Sequence, residues 1–435
     1  MERFALSRMK EWKENENRKP LIIRGARQVG KTWIMKTFGQ QYFEKTAYVN
    51  FDNNARMKQV FEGDLDIERL VLAISAETGV SIEAENTLII FDEVQEVPKA
   101  LTSLKYFHEN APQYAIVAAG SLLGVALHQG TSFPVGKVDF LDLYPLNFRE
   151  FLCAMGEKQF VSMLDSCDTQ MVTVFKTKYI ECLREYYFVG GMPEVLNDFS
   201  EKKDYNRVRA IQKNLINYYQ QDFSKHAEIK LVPRLNLVWN SIPMQLAKEN
   251  KKYIYGQVRE GSRAKDFELA IQWLLDCGLI HKVQRIQKPD LPLKAYIDFD
   301  AFKLFLVDIG LLIAMTDLDA KVIIEGNKIF TEFKGSLTEQ YILQQLISDV
   351  GVIPYYYSTQ NSKGEIDFLV QGKTSVIPIE VKAEENLKAK SLKAFCEKYQ
   401  PSYAVRTSMS DYREQDWMTN IPLYAIKWIE NYVNQ

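Results

Sequence analysis

The sequence predicts an α/β protein whose N-terminal third is a parallel sheet sandwiched between helices, and three observations carry that expectation. A short apolar run, Leu21 to Ile23, leads into a Gly-x-x-x-x-Gly-Lys-Thr loop, Gly25 to Thr32, and a helical segment follows directly. A second apolar run, Thr87 to Phe91, is continuous rather than alternating, as in a strand buried on both faces, and it ends in Asp92 and Glu93. Strand-like and helix-like segments then alternate to about residue 150, the order of right-handed crossovers in an αβα sandwich.

Residues 3 to 15 read as an amphipathic helix whose Phe4, Leu6, Met9 and Trp12 pack against the sheet edge. The loop after the first strand is a phosphate-binding loop. Its glycines let backbone NH groups turn toward a polyphosphate, and the helix starting near Lys31 aims its positive end at the same anion. Gly25, Ala26, Arg27, Gln28, Val29, Gly30, Lys31, Thr32 and Trp33 are therefore the candidate nucleotide-binding residues. Lys31 is expected on the β- and γ-phosphates, and the Thr32 hydroxyl on Mg²⁺.

A second strand is expected over 46–52, a helix over 66–76 and a third strand over 87–93. Asp92, at the carboxyl end of a buried parallel strand, would share the Mg²⁺ with Thr32, and Glu93 would polarise the attacking water. The next strand, 114–119, ends at Gly120 and Ser121. Ser121 reads equally as a phosphate sensor and as a helix N-cap. A further strand over 137–144 precedes Pro145.

With 435 residues the chain is long enough for several domains, and 46% hydrophobic with 25% charged residues is an ordinary globular composition. A formal net charge of -2 supplies no global field toward nucleic acid or acidic lipid, so any DNA contact has to be local. The five cysteines are scattered, with no C-x-x-C pair, and read as core thiols rather than as disulfides or zinc ligands. Without a signal-like N-terminus or an apolar run of spanning length, a cytoplasmic protein is expected.

The ordered set Gly25 to Thr32, Phe91 to Gln95, Gly120 to Leu123, Tyr144 to Leu146 and Gly190 to Glu194 resembles a large prokaryotic family of AAA-type ATPases with a C-terminal domain of unknown function. The resemblance runs from about residue 3 to beyond residue 400 and implies Mg²⁺-dependent ATP hydrolysis. It also implies adenine contacts from Gly191 and Pro193, although a helix-opening Pro turn explains the same residues from composition. Relatives carry Arg where this chain has Lys137, and a lysine lacks the bidentate fork of an arginine finger. A mostly helical pattern from Phe148 to about Phe223 fits a lid, and a helix, helix, hairpin order over 232–315 is that of a winged helix, so the expected organisation is an ATPase core over 1–150, a helical lid over 151–228, a winged-helix-like segment over 229–318 and a C-terminal domain over 319–435.

In that last segment, Gly335 to Ile342 reads as a helix with Ser336 as its cap and Glu339 at capping-box spacing. Strands over 364–370 and 376–382 place Glu380 and Lys382 on one face, within reach of Asp367 on the neighbouring strand. Two carboxylates beside a lysine can hold a divalent metal for phosphodiester cleavage. The pattern resembles the PD-(D/E)xK nuclease superfamily, a restriction-endonuclease-like α/β fold, with Glu339, Asp367, Glu380 and Lys382 in its four positions. Three readings stay open: an ATP-driven switch coupled to a DNA-interacting domain, an ATP-regulated nuclease, and a sensor or scaffold. The expected cofactors are ATP and Mg²⁺, and the candidate partners are DNA and further copies of the chain.

Overall fold

The computed structural model describes residues 2–120, 133–248, 251–325, 331–359, 364–385 and 389–435. They form two compact units. One comprises Glu2–Tyr144 with the turn Asp276–Leu279, the other Pro145–Leu275 with Ile280–Gln435.

In the first unit, β1 (Leu21–Arg24), β2 (Lys45–Asn50), β3 (Thr87–Asp92), β4 (Ala115–Ala119) and β5 (Asp139–Asp142) make a five-stranded sheet in the order β2-β3-β4-β1-β5. Every pairing is parallel. Parallel strands are joined by crossovers, and the helices α1 (Ala5–Glu14), α2 (Lys31–Tyr42), α3 (Ala55–Glu62), α4 (Ile67–Thr78) and α5 (Pro98–Asn110) supply the cover. β3 and β4 are buried at every residue, which is why their apolar runs do not alternate. Beside them Phe51, Phe61, Phe91 and Phe107 meet edge to face, with centroids 5.4 to 6.5 Å apart. Because β1 and β3 run the same way, their carboxyl ends meet at one edge of the sheet.

The second unit carries the helices α6 (Phe148–Ala154), α7 (Lys176–Val189), α8 (Pro193–Lys202), α9 (Tyr205–His226), α10 (Val232–Leu246), α11 (Ala264–Asp276, its last residue in the first unit), α12 (Ile309–Met315), α13 (Thr331–Gln345) and α14 (Lys390–Tyr399). Its sheet comprises β6 (Ile280–Ile286), β7 (Ile297–Leu306), β8 (Tyr355–Ser358), β9 (Glu365–Gln371), β10 (Val376–Val381), β11 (Val405–Ser408), β12 (Arg413–Glu414) and β13 (Thr419–Pro422). The order is β12-β13-β11-β10-β9-β8-β6-β7.

One expectation needs correction, and the hairpin of the winged-helix-like segment joins a larger sheet. β6 pairs antiparallel with β7 and in parallel with β8 through Arg285 and Ile286, so the β6–β7 hairpin is the edge of the C-terminal sheet. Ser336 is not a helix cap, since α13 begins at Thr331; its hydroxyl is buried and donates to Leu246 O at 2.5 Å.

Three buried glutamines on α13 explain why lid, wing and C-terminal segments pack as one. Gln340 accepts from Leu306 N (3.0 Å) and donates to Leu306 O (2.7 Å), completing the end of β7 as a strand would. Gln344 accepts from Ile309 N and donates to the Tyr186 hydroxyl, and Gln345 accepts from Phe148 N. Since each half-satisfied amide in a dry interior is costly, the three fix the register of α13 against α6, α7 and β7. Gln340→Leu should therefore destabilise the second unit by about 2 to 5 kcal/mol, because each buried backbone group left without a partner costs on the order of 1–3 kcal/mol. Urea denaturation checks this.

Candidate functional site

The loop between β1 and α2 holds its shape through close backbone packing. Gly25 has φ +148, and a Cβ there would lie 2.1 Å from Leu143 O, so no other residue fits. Arg3 braces the loop from outside by donating to Val29 O at 3.0 Å and to Tyr144 O at 2.6 Å, a role the N-terminal segment had not been assigned. Gly30, with φ +95, precedes α2, and no side chain caps the first turn of that helix. Its leading NH groups are thus left for an anion.

Lys31 is buried, and its ammonium donates to Gly25 O and Ala26 O, both at 2.8 Å. Burial lowers its pKa to about 8, opposed by the charges of Glu93 and Asp92. The Thr32 hydroxyl donates to Asp92 Oδ2 at 2.7 Å, so the loop and the end of β3 meet. Asp92 Oδ2 also accepts from the Tyr48 hydroxyl at 2.9 Å, and Asp92 Oδ1 from Glu93 N at 3.1 Å. A hydroxyl and a carboxylate converging on one point are hard oxygen donors, the kind that suit Mg²⁺. Glu93 sits in the left-handed region, φ 50 and ψ 44, and its carboxylate accepts from Gln95 Nε2 at 2.7 Å. Trp33 is partly exposed at the start of α2.

Ser121 lies outside the described residues. Lys137 is paired with Glu109 at 3.0 Å. Gly191 and Pro193 belong to the second unit, where Gly191 N donates to buried Asp308 at 2.6 Å and Pro193 opens α8. Asp308 also caps α12 through Leu311 N, and burial lifts its carboxyl to about 6 against those donors.

The C-terminal residues do come together, but in company the sequence reading missed. Ile379 pairs with Phe368, and one further step in register sets Glu380 opposite Asp367. Asp367 Oδ2 accepts from Val381 N at 2.7 Å, and Lys382 Nζ lies 2.7 Å from Glu380 Oε1. Glu339 is paired with Lys251, and Lys303 from β7 lies between Glu339 and Glu365. Among the described residues no group of three His, Cys, Asp or Glu side chains is arranged to hold a metal. Lys303 had a signal, a lone charge inside the apolar run Phe302 to Leu306. Tyr48 and Gln95 had little, since both are ordinary residues for a strand and a turn.

Residues 17–152 match the family model of an AAA domain. Residues 180–322 and 334–426 each match a model described as a domain of unknown function. No curated protein matches the chain. Among solved structures, a Walker-type ATPase of Pyrococcus abyssi aligns at 14% identity over 72% of this chain and 95% of its own, with a TM-score of 0.44. An Orc1 protein of Aeropyrum pernix solved with DNA aligns at 12% over 72% and 91%, TM-score 0.27, and RuvB of Thermotoga maritima at 12% over 64% and 87%, TM-score 0.27.

The turn Asp276–Leu279 lies against the loop of this AAA domain although it is some 250 residues away in sequence. Gly278 has φ +69, and a Cβ on it would come within 3.1 Å of Ala26 N, while the buried Cys277 is within electrostatic reach of Lys31. Gly278→Val should weaken ATP binding at least several-fold. Gly136→Ala is the control, since Gly136 has a similar φ of +71 and nothing within 4 Å of its Cβ. Fluorescent-nucleotide titration of both variants separates pressure on the loop from backbone strain.

Proposed function

We propose that the AAA domain binds and hydrolyses ATP with Mg²⁺, and the observation that carries this is the Thr32 to Asp92 contact beside the buried Lys31. In this reading the Lys31 ammonium leaves the carbonyls of Gly25 and Ala26 for the β- and γ-phosphate oxygens, and the open NH groups of α2 complete the cradle. Thr32 and Asp92 would hold Mg²⁺, which supplies positive charge to the same oxygens. Glu93 orients the attacking water and draws its proton, with Gln95 fixing the carboxylate. Tyr48 steadies Asp92.

The second unit is proposed as the output of a nucleotide-driven switch. Supporting this, the turn packed on the loop is covalently continuous with α11 before it and β6 after it. A nuclease reading draws support from Asp367 and Glu380 side by side, whereas the ion pairs of Lys303, Lys251 and Lys382 speak against a ready metal site. DNA is a candidate partner in both. Incubation with Mg²⁺ or Mn²⁺, with and without ATP, against single-stranded DNA, duplex DNA and RNA distinguishes switch from nuclease.

Lys31→Ala should abolish tight ATP binding, because it removes the buried ammonium that the loop carbonyls of Gly25 and Ala26 hold in place. Glu93→Gln should keep ATP binding and lower turnover by about 10²- to 10⁴-fold, the usual contribution of a positioned base. Unchanged turnover would move the water-positioning role to another residue. Gln95→Ala should lower kcat by roughly tenfold, a fraction of the Glu93→Gln loss, with KM for ATP little altered, since it removes one hydrogen bond that orients the Glu93 carboxylate without touching the loop. A coupled ATPase assay with nucleotide titration reads all three.

A further inference from the structure

We propose that the ammonium of Lys303 is the resident cation of the C-terminal carboxylate cluster, filling the place between Glu339 and Glu365 that a divalent ion would otherwise take. Lys303 is a lysine with no exposed surface, on the edge strand β7. Its Nζ is hydrogen-bonded to Glu365 at the start of β9, lies 3.6 Å from Glu339 Oε2 on α13, and stands 4.9 Å from the Tyr356 ring centroid on β8.

A charge so buried persists only when its surroundings neutralise it. Glu339 and Glu365 do that, and Lys303 does the same for them: its pKa is held above the ordinary lysine value by Glu339, Glu365 and Asp367, against the effect of burial. The second oxygen of Glu339 points the same way. Glu339 Oε1 is taken by Lys251, while Oε2, the oxygen nearest Lys303, accepts no hydrogen bond among the described residues. That is the posture of a ligand oxygen facing a cation by charge alone. Glu380, the other buried carboxylate of the group, is taken at Oε1 by its own neighbour Lys382, and its Oε2 likewise accepts no hydrogen bond among the described residues.

A divalent ion entering beside Glu339 and Asp367 would meet two ammonium groups at close range, so the wild-type cluster repels hard cations instead of collecting them. The lysine is delivered by the β6–β7 hairpin. The cluster therefore acts as an ion-pair lock that ties β7 to α13 and β9, and it becomes a site for Mn²⁺ or Ca²⁺ only when Lys303 is removed.

The test uses the full chain without nucleotide and counts bound Mn²⁺ from the loss of the free-ion electron paramagnetic resonance signal. The AAA domain is unchanged in every variant, so its own metal affinity cancels in the comparison. Lys303→Met should bind one Mn²⁺ more per chain than wild type, at least tenfold more tightly than any Mn²⁺ wild type takes beyond its AAA domain. Lys303→Met/Glu339→Gln should lose that ion while remaining folded. If Lys303→Met does not fold unaided, its refolding in Mn²⁺ but not in chelator supports the proposal. Failure to refold in Mn²⁺ overturns it, as does equal Mn²⁺ binding by wild type, the single and the double variant.

Discussion

The parallel pairing of the first sheet is the constraint from which the candidate site follows. Because β3, β4 and β1 run side by side in one direction, the loop leaving β1 and the two carboxylates ending β3 emerge at the same edge. The contact between Thr32 and Asp92 is the local result, and Tyr48 at the neighbouring β2 reaches the same carboxylate for the same reason. The loop is also braced by residues outside the sheet. Gly25 is pressed against Leu143 past the end of β5, Arg3 holds Val29, and Gly278 closes on Ala26.

The second unit is built on a different constraint, the need to satisfy polar groups in its interior. The glutamines of α13 finish backbone hydrogen bonds that no strand or helix completes, and Asp308 gathers the NH groups of Gly191 and Leu311. Ionic groups are handled alike. Glu339, Glu365 and Lys303 are buried or half-buried at the junction of α13, β9 and β7, where they and Lys251 neutralise one another. Such networks specify one arrangement of elements better than apolar contacts do, at a cost in desolvation. They make lid, hairpin and C-terminal strands a single body where the order of helices and strands along the chain suggests three.

Local pattern and tertiary pairing divide the information in this chain. The loop Gly25 to Thr32, the strand ending in Asp92 and Glu93, and the alternation that makes the first sheet parallel are all legible along the chain. Each of these is written in contiguous residues whose backbone needs, glycine freedom or unbroken burial, dictate their type. The same local pattern brings Asp367 and Glu380 together, because period-two strands joined by a short turn leave little choice of register. What stands around those carboxylates follows from long-range pairing instead. Lys303 reaches Glu339 and Glu365 from 36 and 62 positions away, since β6 pairs with β8 instead of closing a separate wing. Gly278 meets Ala26 across an even longer separation. Contacts of that kind depend on strand order and on which helix covers which face, and no local period in the sequence encodes either.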